Sequence, residues 1–263
     1  MVAPRKSLGQ HWLKDRATLT NIAAYANIEG DTVLEIGPGL GFLTSVLLKG
    51  AAKVVAIEFD AELARKLPAS FPGKNLEVVN ADFLQYDLEQ LPPGYKVVAN
   101  VPYYITSKIV QKLLTAENKP SEIVLLVQKE VAERLAAGPG QLSILGISAQ
   151  IYAEVSLGDI VPAQLFTPPP KVDSQVVAMC PFKKPKLTGG EKEFFRLVKV
   201  GFSAPRKKVV SNLANGLHCD RAEIEVVFDR LGLDANLRAQ DLTIENWQNL
   251  QTSLAGTVPA KDL

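Results

Sequence analysis

Five consecutive residues, Asn100-Val101-Pro102-Tyr103-Tyr104, hold the groups needed to make an aromatic amine reactive. Such an amine is a poor nucleophile because its lone pair is delocalised into the ring. Two acceptors on the amine hydrogens would pull the nitrogen toward tetrahedral geometry and free the lone pair for attack. The Asn100 side-chain oxygen and the Val101 carbonyl are suitably placed to supply them. Pro102 fixes φ and stiffens the turn. Tyr103 offers a ring on which a nucleobase can stack, worth about 1–3 kcal/mol. No strong general base is required, since the proton can leave after positive charge has developed on nitrogen. Positioning would carry most of the acceleration, and about 7–11 kcal/mol is available from that source. A base must be single-stranded or unstacked to enter such a pocket, and Phe166 is placed to clamp its other face. An ordinary Pro-Tyr turn and a core aromatic are the plain alternatives for these two places.

An electrophile has to meet that amine, and residues 32–44 read as the element that holds its carrier. Val33, Leu34 and Ile36 form the short apolar run of a buried parallel strand, and Leu43, Val46, Leu47 and Leu48 recur at helical spacing. Between them lie Gly37, Gly39 and Gly41. Glycine reaches positive φ and has no Cβ, so a ligand can lie against bare backbone at Gly37 and Gly39. Such a turn suits a dinucleotide, whose pyrophosphate sits at the helix N-terminus. It also suits S-adenosyl-L-methionine, which has no phosphate. The dinucleotide fingerprint wants glycine or alanine five residues after the first glycine, and Phe42 stands there. Glu35, beside the turn, would repel a pyrophosphate but suits an ammonium and a sulfonium. The spacing therefore favours the methyl donor over the dinucleotide. Glu58 follows Gly37 by 21 residues, where an acid can accept hydrogen bonds from both ribose hydroxyls. Asp82 is a candidate acceptor for the exocyclic amine of the donor's adenine, and Phe83 could lie against that ring.

These residues need a frame that brings them together. Strands are expected at 32–36, 53–57, 76–79, 96–99 and 123–127, with helices near 42–49, 61–68 and 106–116. That rhythm predicts an α/β, doubly wound, Rossmann-like parallel sheet, whose ligands sit beyond the carboxyl ends of the strands. The first four strand ends carry the glycine turn, Glu58, Asn80-Ala81-Asp82 and Asn100–Tyr104, so one crevice can collect all four. Further helices are expected at 17–28, 128–135 and 141–152. Residues 165–174, with three successive prolines, read as irregular, and a strand at 175–181 closes the sheet. Residues 191–254 read as all-helical, with Pro205 at a helix N1 position and Thr243 as an N-cap. The segment 4–16 is expected to fold back on the domain, and the tail from 256 to fray. The expected division is therefore 1–182 for the cofactor-binding domain and 183–263 for a small helical C-terminal domain.

The 263 residues are 47% hydrophobic and 22% charged, enough apolar material for a full core. No apolar run is long enough to span a membrane, and no secretory signal opens the chain. Two cysteines give neither a disulfide framework nor a zinc set, and with only two histidines the composition argues against a metal site or a His-based triad. The expected setting is the cytoplasm. The net charge of +1 is unevenly spread: residues 183–208 carry nine basic against two acidic residues, and 5–16 carry four against one. Basic clustering of this kind is the footprint of a nucleic-acid partner, and Arg206, Lys207 and Lys208 form its densest run.

Five stretches, Lys6–His11, Leu34–Gly41, Asn100–Tyr104, Gln128–Ala132 and Phe166–Ser174, together resemble the ribosomal RNA adenine dimethyltransferase family, closest to its bacterial small-subunit branch. The resemblance covers nearly the whole chain and implies a class I methyltransferase domain. It implies transfer of two methyls from S-adenosyl-L-methionine to each of two adjacent adenines in a hairpin loop near the 3′ end of small-subunit ribosomal RNA. It also implies cofactor contacts from His11, Leu13, Gly37, Glu58, Asp82 and Asn100, no metal, and a protein that works as a monomer on the assembling small subunit. Trp12 stands where the family usually has Phe, and Pro205 where it often has Arg. The alternatives are a large-subunit methyltransferase of the antibiotic-resistance type, a mainly non-catalytic assembly factor, and a small-molecule methyltransferase.

Overall fold

A computed structural model describes residues 10–255. The expectations for 4–9 and for the tail from 256 lie outside them. The elements run β1 (Trp12–Leu13), α1 (Arg16–Ala24), β2 (Thr32–Ile36), α2 (Phe42–Leu47), β3 (Lys53–Glu58), α3 (Ala61–Lys66), β4 (Leu76–Asn80), β5 (Lys96–Asn100), α4 (Thr106–Thr115) and β6 (Glu122–Gln128). They continue as α5 (Lys129–Ala136), α6 (Ile144–Gln150), β7 (Ala153–Val161), β8 (Phe166–Thr167), β9 (Ser174–Pro181), α7 (Glu191–Gly201), α8 (Val209–Leu217), α9 (Arg221–Arg230) and α10 (Ile244–Leu254).

The main sheet has the order β4-β3-β2-β5-β6-β9-β7. Strands β2 to β6 pair in parallel, and β9 is antiparallel to both β6 and β7. After β2 the chain builds outward to β3 and β4, then returns to place β5 on the other side of β2. That reversal opens the ligand crevice of an open α/β sheet, at the carboxyl ends of β2 and β5. The central strands are apolar on both faces, as parallel strands covered by helices must be, and Val33, Leu34, Val97, Val98, Val124 and Leu125 have no exposed surface.

Two compact units result. Among the described residues, one comprises those through Glu133 together with Tyr152–Lys183, and the other Arg134–Ile151 together with those from Lys184. The division is thus not a single cut after 182, because α6 belongs to the helical unit. In that unit Trp247 is fully buried, with Phe202 stacked 5.9 Å from it. Thr243 caps α10 as its sequence suggests, accepting from the Asn246 N–H at 2.9 Å while Asn246 returns the bond at 2.9 Å.

Several local expectations are corrected. Pro205 is not at helix N1. Residues 203–208 form a turn closed by Lys207 N–H to the Ala204 carbonyl at 2.9 Å, and α8 starts at Val209. Asn212 explains the delay: its side-chain amide donates to the carbonyls of Gly201 and Ala204, holding the turn in place of a helical start. Helix α1 stops at Ala24 rather than near 28, and α6 covers 144–150 rather than 141–152. The proline segment is not wholly irregular, for Phe166 and Thr167 pair antiparallel with Leu13 and Trp12. Strand β7 is an edge strand with a register shift between Leu157 and Ile160.

Candidate active site

One cavity opens at the carboxyl ends of β2, β3, β4 and β5. Its floor is the glycine turn. Gly37 and Gly39 have φ of +68° and +58°, a region closed to most side chains, and the Gly37 N–H is tied to the Ile57 carbonyl at 2.9 Å. Gly41 has φ +81°, and a Cβ there would also press on the side-chain ends of Leu67 at 2.7 Å and Phe71 at 2.9 Å. Each of the three glycines thus meets a backbone need of the turn.

Glu58, at the end of β3, is almost wholly buried. Its Oε2 accepts from the Gly39 N–H at 3.0 Å and its Oε1 from the Asp60 N–H at 2.8 Å. Burial pushes its pKa above the usual range, opposed by those N–H bonds. Glu58 therefore braces the glycine turn while keeping lone pairs for a ligand. Asp82 accepts from the Leu84 N–H at 2.9 Å and lines the cavity beside Phe83. The Phe83 ring carries the Lys112 ammonium 5.5 Å from its centroid, and Lys112 also donates to the carbonyls of Leu84 and Tyr86.

Asn100, Val101, Pro102 and Tyr103 form the opposite wall. The Asn100 amide nitrogen donates to the His11 carbonyl at 3.5 Å, which orients the side chain. The Val101 N–H is satisfied by Leu126 in β6. The Tyr103 hydroxyl and Ser174 Oγ share a 2.8 Å hydrogen bond, and the His11 ring lies nearly parallel to Tyr103 at 6.0 Å. Since the Pro168 carbonyl can only accept, His11 donates to it from Nδ1, at 2.7 Å.

The family model described as ribosomal RNA adenine dimethylase matches residues 1–255. The chain belongs to this family. It is 41% identical over 268 residues to the ribosomal RNA small subunit methyltransferase A of Acaryochloris marina, covering 97% of this chain and 98% of that one. It is 39% identical over 258 residues to the enzyme of the same description from Dehalococcoides mccartyi strain CBDB1, covering 96% and 89%. Among solved structures, a dimethyladenosine transferase from Plasmodium falciparum aligns with a TM-score of 0.79 at 28% identity, covering 94% of this chain and 98% of that one. The 23S rRNA methyltransferase ErmE aligns with a TM-score of 0.75 at 30% identity, covering 93% and 99%.

In this adenine dimethylase, then, the structure brings His11, Leu13, Gly37, Gly39, Glu58, Asp82, Phe83 and Asn100–Tyr103 around one cavity. Two expectations fail. Phe166 does not line it: pairing with Leu13 turns its ring into the core with Leu19, Val161 and Val176. Glu35 lines the cavity but is not an anion. Burial pushes its carboxyl up to about 8, and it accepts a 2.6 Å bond from the Thr44 hydroxyl. The sequence reading missed Phe59, which is 62% exposed at the cavity rim, and gave Tyr104, which is 65% exposed there, no separate role. An aromatic next to each functional strand end was the available signal. It also missed Ser174 and Lys112, which act on aromatic groups far away in sequence. Among the described residues no cluster of His, Cys, Asp or Glu could hold a metal, and no helix is long and apolar enough to cross a membrane.

Proposed function

We propose that the protein transfers methyl groups from S-adenosyl-L-methionine to the N6 amines of two adjacent adenosines in a hairpin loop near the 3′ end of small-subunit ribosomal RNA. The observation that carries this reading is the Asn100–Tyr103 wall facing a bare glycine turn across one crevice. The cavity suits this cofactor. Glu58 and Asp82 line it, and among the described residues no Lys or Arg does, which disfavours a pyrophosphate and accommodates a cation. Glu58 would hold the ribose, Asp82 and Phe83 the adenine, with Phe59 over its exposed side. His11, Leu13, Gly37 and Gly39 would hold the remainder. When bound, S-adenosyl-L-methionine supplies an electrophilic methyl on a sulfonium.

The chain's own residues do the rest. Asn100 Oδ1 and the Val101 carbonyl accept the two amine hydrogens and turn the nitrogen lone pair toward the donor. Tyr103, pinned by Ser174 and backed by His11, stacks on the base. Arg206, Lys207 and Lys208, all exposed, contact RNA phosphates. The protein acts as a monomer in the cytoplasm on the assembling small subunit.

The test is methylation of purified ribosomal subunits with tritiated donor, followed by mapping of the label. Label on two neighbouring adenosines of the small-subunit RNA is expected; label in the large subunit overturns the assignment. Asn100→Ala should slow transfer about a hundredfold, the cost of losing one preorganised partner in a closed site, while particle binding persists.

A further inference from the structure

Trp12 carries a group that nothing described so far uses. It is only 9% exposed, lines the cavity, and its indole Nε1–H is buried with no hydrogen-bond partner. Buried donors without partners are rare because they lose water and gain nothing. Strand β1 explains the placement. Its pairing with β8 fixes Trp12 and Leu13 in antiparallel register, and successive side chains on a strand point to opposite faces. Leu13 is packed in the core cluster, which leaves the indole beside the glycine turn. A Cβ at Gly39 would lie 3.4 Å from Nε1, so the N–H edge rests close to the bare backbone at Gly39. The other tryptophan, Trp247, also has an unpartnered Nε1–H, but it belongs to the helical core and lines no part of the cavity.

The charge of the cavity says what such a donor is for. Resting on the cofactor reading above, the adenosine end lies with Glu58, Asp82 and Phe83, and the reacting end faces Asn100–Tyr103. The donor molecule also carries an amino-acid carboxylate. Among the described residues the cavity offers it no Lys or Arg, so N–H groups must serve. We propose that the Trp12 indole N–H donates a hydrogen bond to that carboxylate.

Two measurements test it. The protein labelled with 15N shows two indole N–H resonances, since the chain has two tryptophans. Saturating S-adenosyl-L-methionine should move the Trp12 resonance downfield, and decarboxylated S-adenosylmethionine should not reproduce that shift. Calorimetry then compares wild type with Trp12→Phe, which keeps an aromatic ring and removes the N–H. Trp12→Phe should bind S-adenosyl-L-methionine about tenfold more weakly, the scale of one charge-assisted hydrogen bond, and bind the decarboxylated donor within about twofold of wild type. Equal losses for both ligands, no loss for either, or identical resonance shifts would overturn the proposal. The resonance experiment uses wild type alone and holds even if the variant folds poorly. Failure of wild type to bind S-adenosyl-L-methionine at all would instead overturn the cofactor assignment, and this contact with it.

Discussion

Glu35 shows what a single buried acid does to the molecule around it. Unfolded, its carboxyl ionises near 4.5; folded, burial holds it protonated up to about 8. The native state therefore binds the extra proton between those values, and stability falls as pH rises through that window, by at most about 1.4 kcal/mol per pH unit. Below 4.5 both states are protonated and the term vanishes; above 8 it levels off. Glu35→Gln keeps an acceptor for the Thr44 hydroxyl and removes the titration. The stability of Glu35→Gln minus that of wild type should thus climb from pH 5 to pH 8 in urea unfolding, and a flat difference would show that Glu35 is ionised in the fold. Sequence reading placed this residue correctly beside the turn but misjudged its charge. Charge state depends on how much protein covers the carboxyl, and that burial outweighs the hydrogen bond from Thr44, nine residues away, which favours the ionised form.

The proline-rich segment that begins with β8 shows how an element can serve a site it does not line. Pro168 holds the His11 ring through its carbonyl, and Ser174, at the start of β9, holds the Tyr103 hydroxyl. The neighbouring rings of His11 and Tyr103 are thus both set from this one stretch. Ser174→Ala would leave a half-buried phenol unpartnered, at a cost of about 1–3 kcal/mol, whereas removing both partners approaches neutrality. Urea unfolding of Ser174→Ala, Tyr103→Phe and the double variant should therefore show the double variant losing less than the sum of the singles. Methyl transfer by Ser174→Ala should fall about tenfold with donor affinity unchanged; a matching loss of donor affinity would mean that Ser174 only supports the fold. The same elements mark the boundary of what was legible. Strands β3, β5 and β6 announced themselves by unbroken apolar runs and β2 by a run interrupted only at Glu35, because both faces are covered. Strand β7 did not: as an edge strand it mixes Glu154, Ser156 and Asp159 with apolar residues, and Gly158-Asp159 imitates a turn. The inward turn of Phe166 was also hidden, since its orientation follows from a two-residue pairing with β1 across 153 positions of chain.

At the scale of the whole molecule the sheet order does the assembling, and the charge layout addresses the partner. The crevice forms because the chain reverses direction of growth between β2 and β5, so short runs from four separate strand ends between 37 and 104 meet in one place. That much follows from alternating strand and helix. The uneven charge has a separate consequence. Nine basic against two acidic residues over 183–208, in a chain of net charge +1, concentrate the attraction for phosphate in one stretch. Within it, the 203–208 turn presents Arg206 and Lys207 exposed, while the Lys208 ammonium donates to Asn236 at 2.6 Å. Phosphate contacts release counterions, and each contributes roughly −0.7 to −0.9 to the slope of log affinity against log salt. Replacing Arg206, Lys207 and Lys208 together by Ala should therefore flatten that slope by about 2, with Lys208 contributing least because it already has a partner. The donor affinity, set by the crevice, should stay unchanged. Filter binding of a hairpin RNA across a salt series measures the first and calorimetry the second. An unchanged slope would remove this turn from the RNA contact and leave the attraction to the remaining lysines of 183–199.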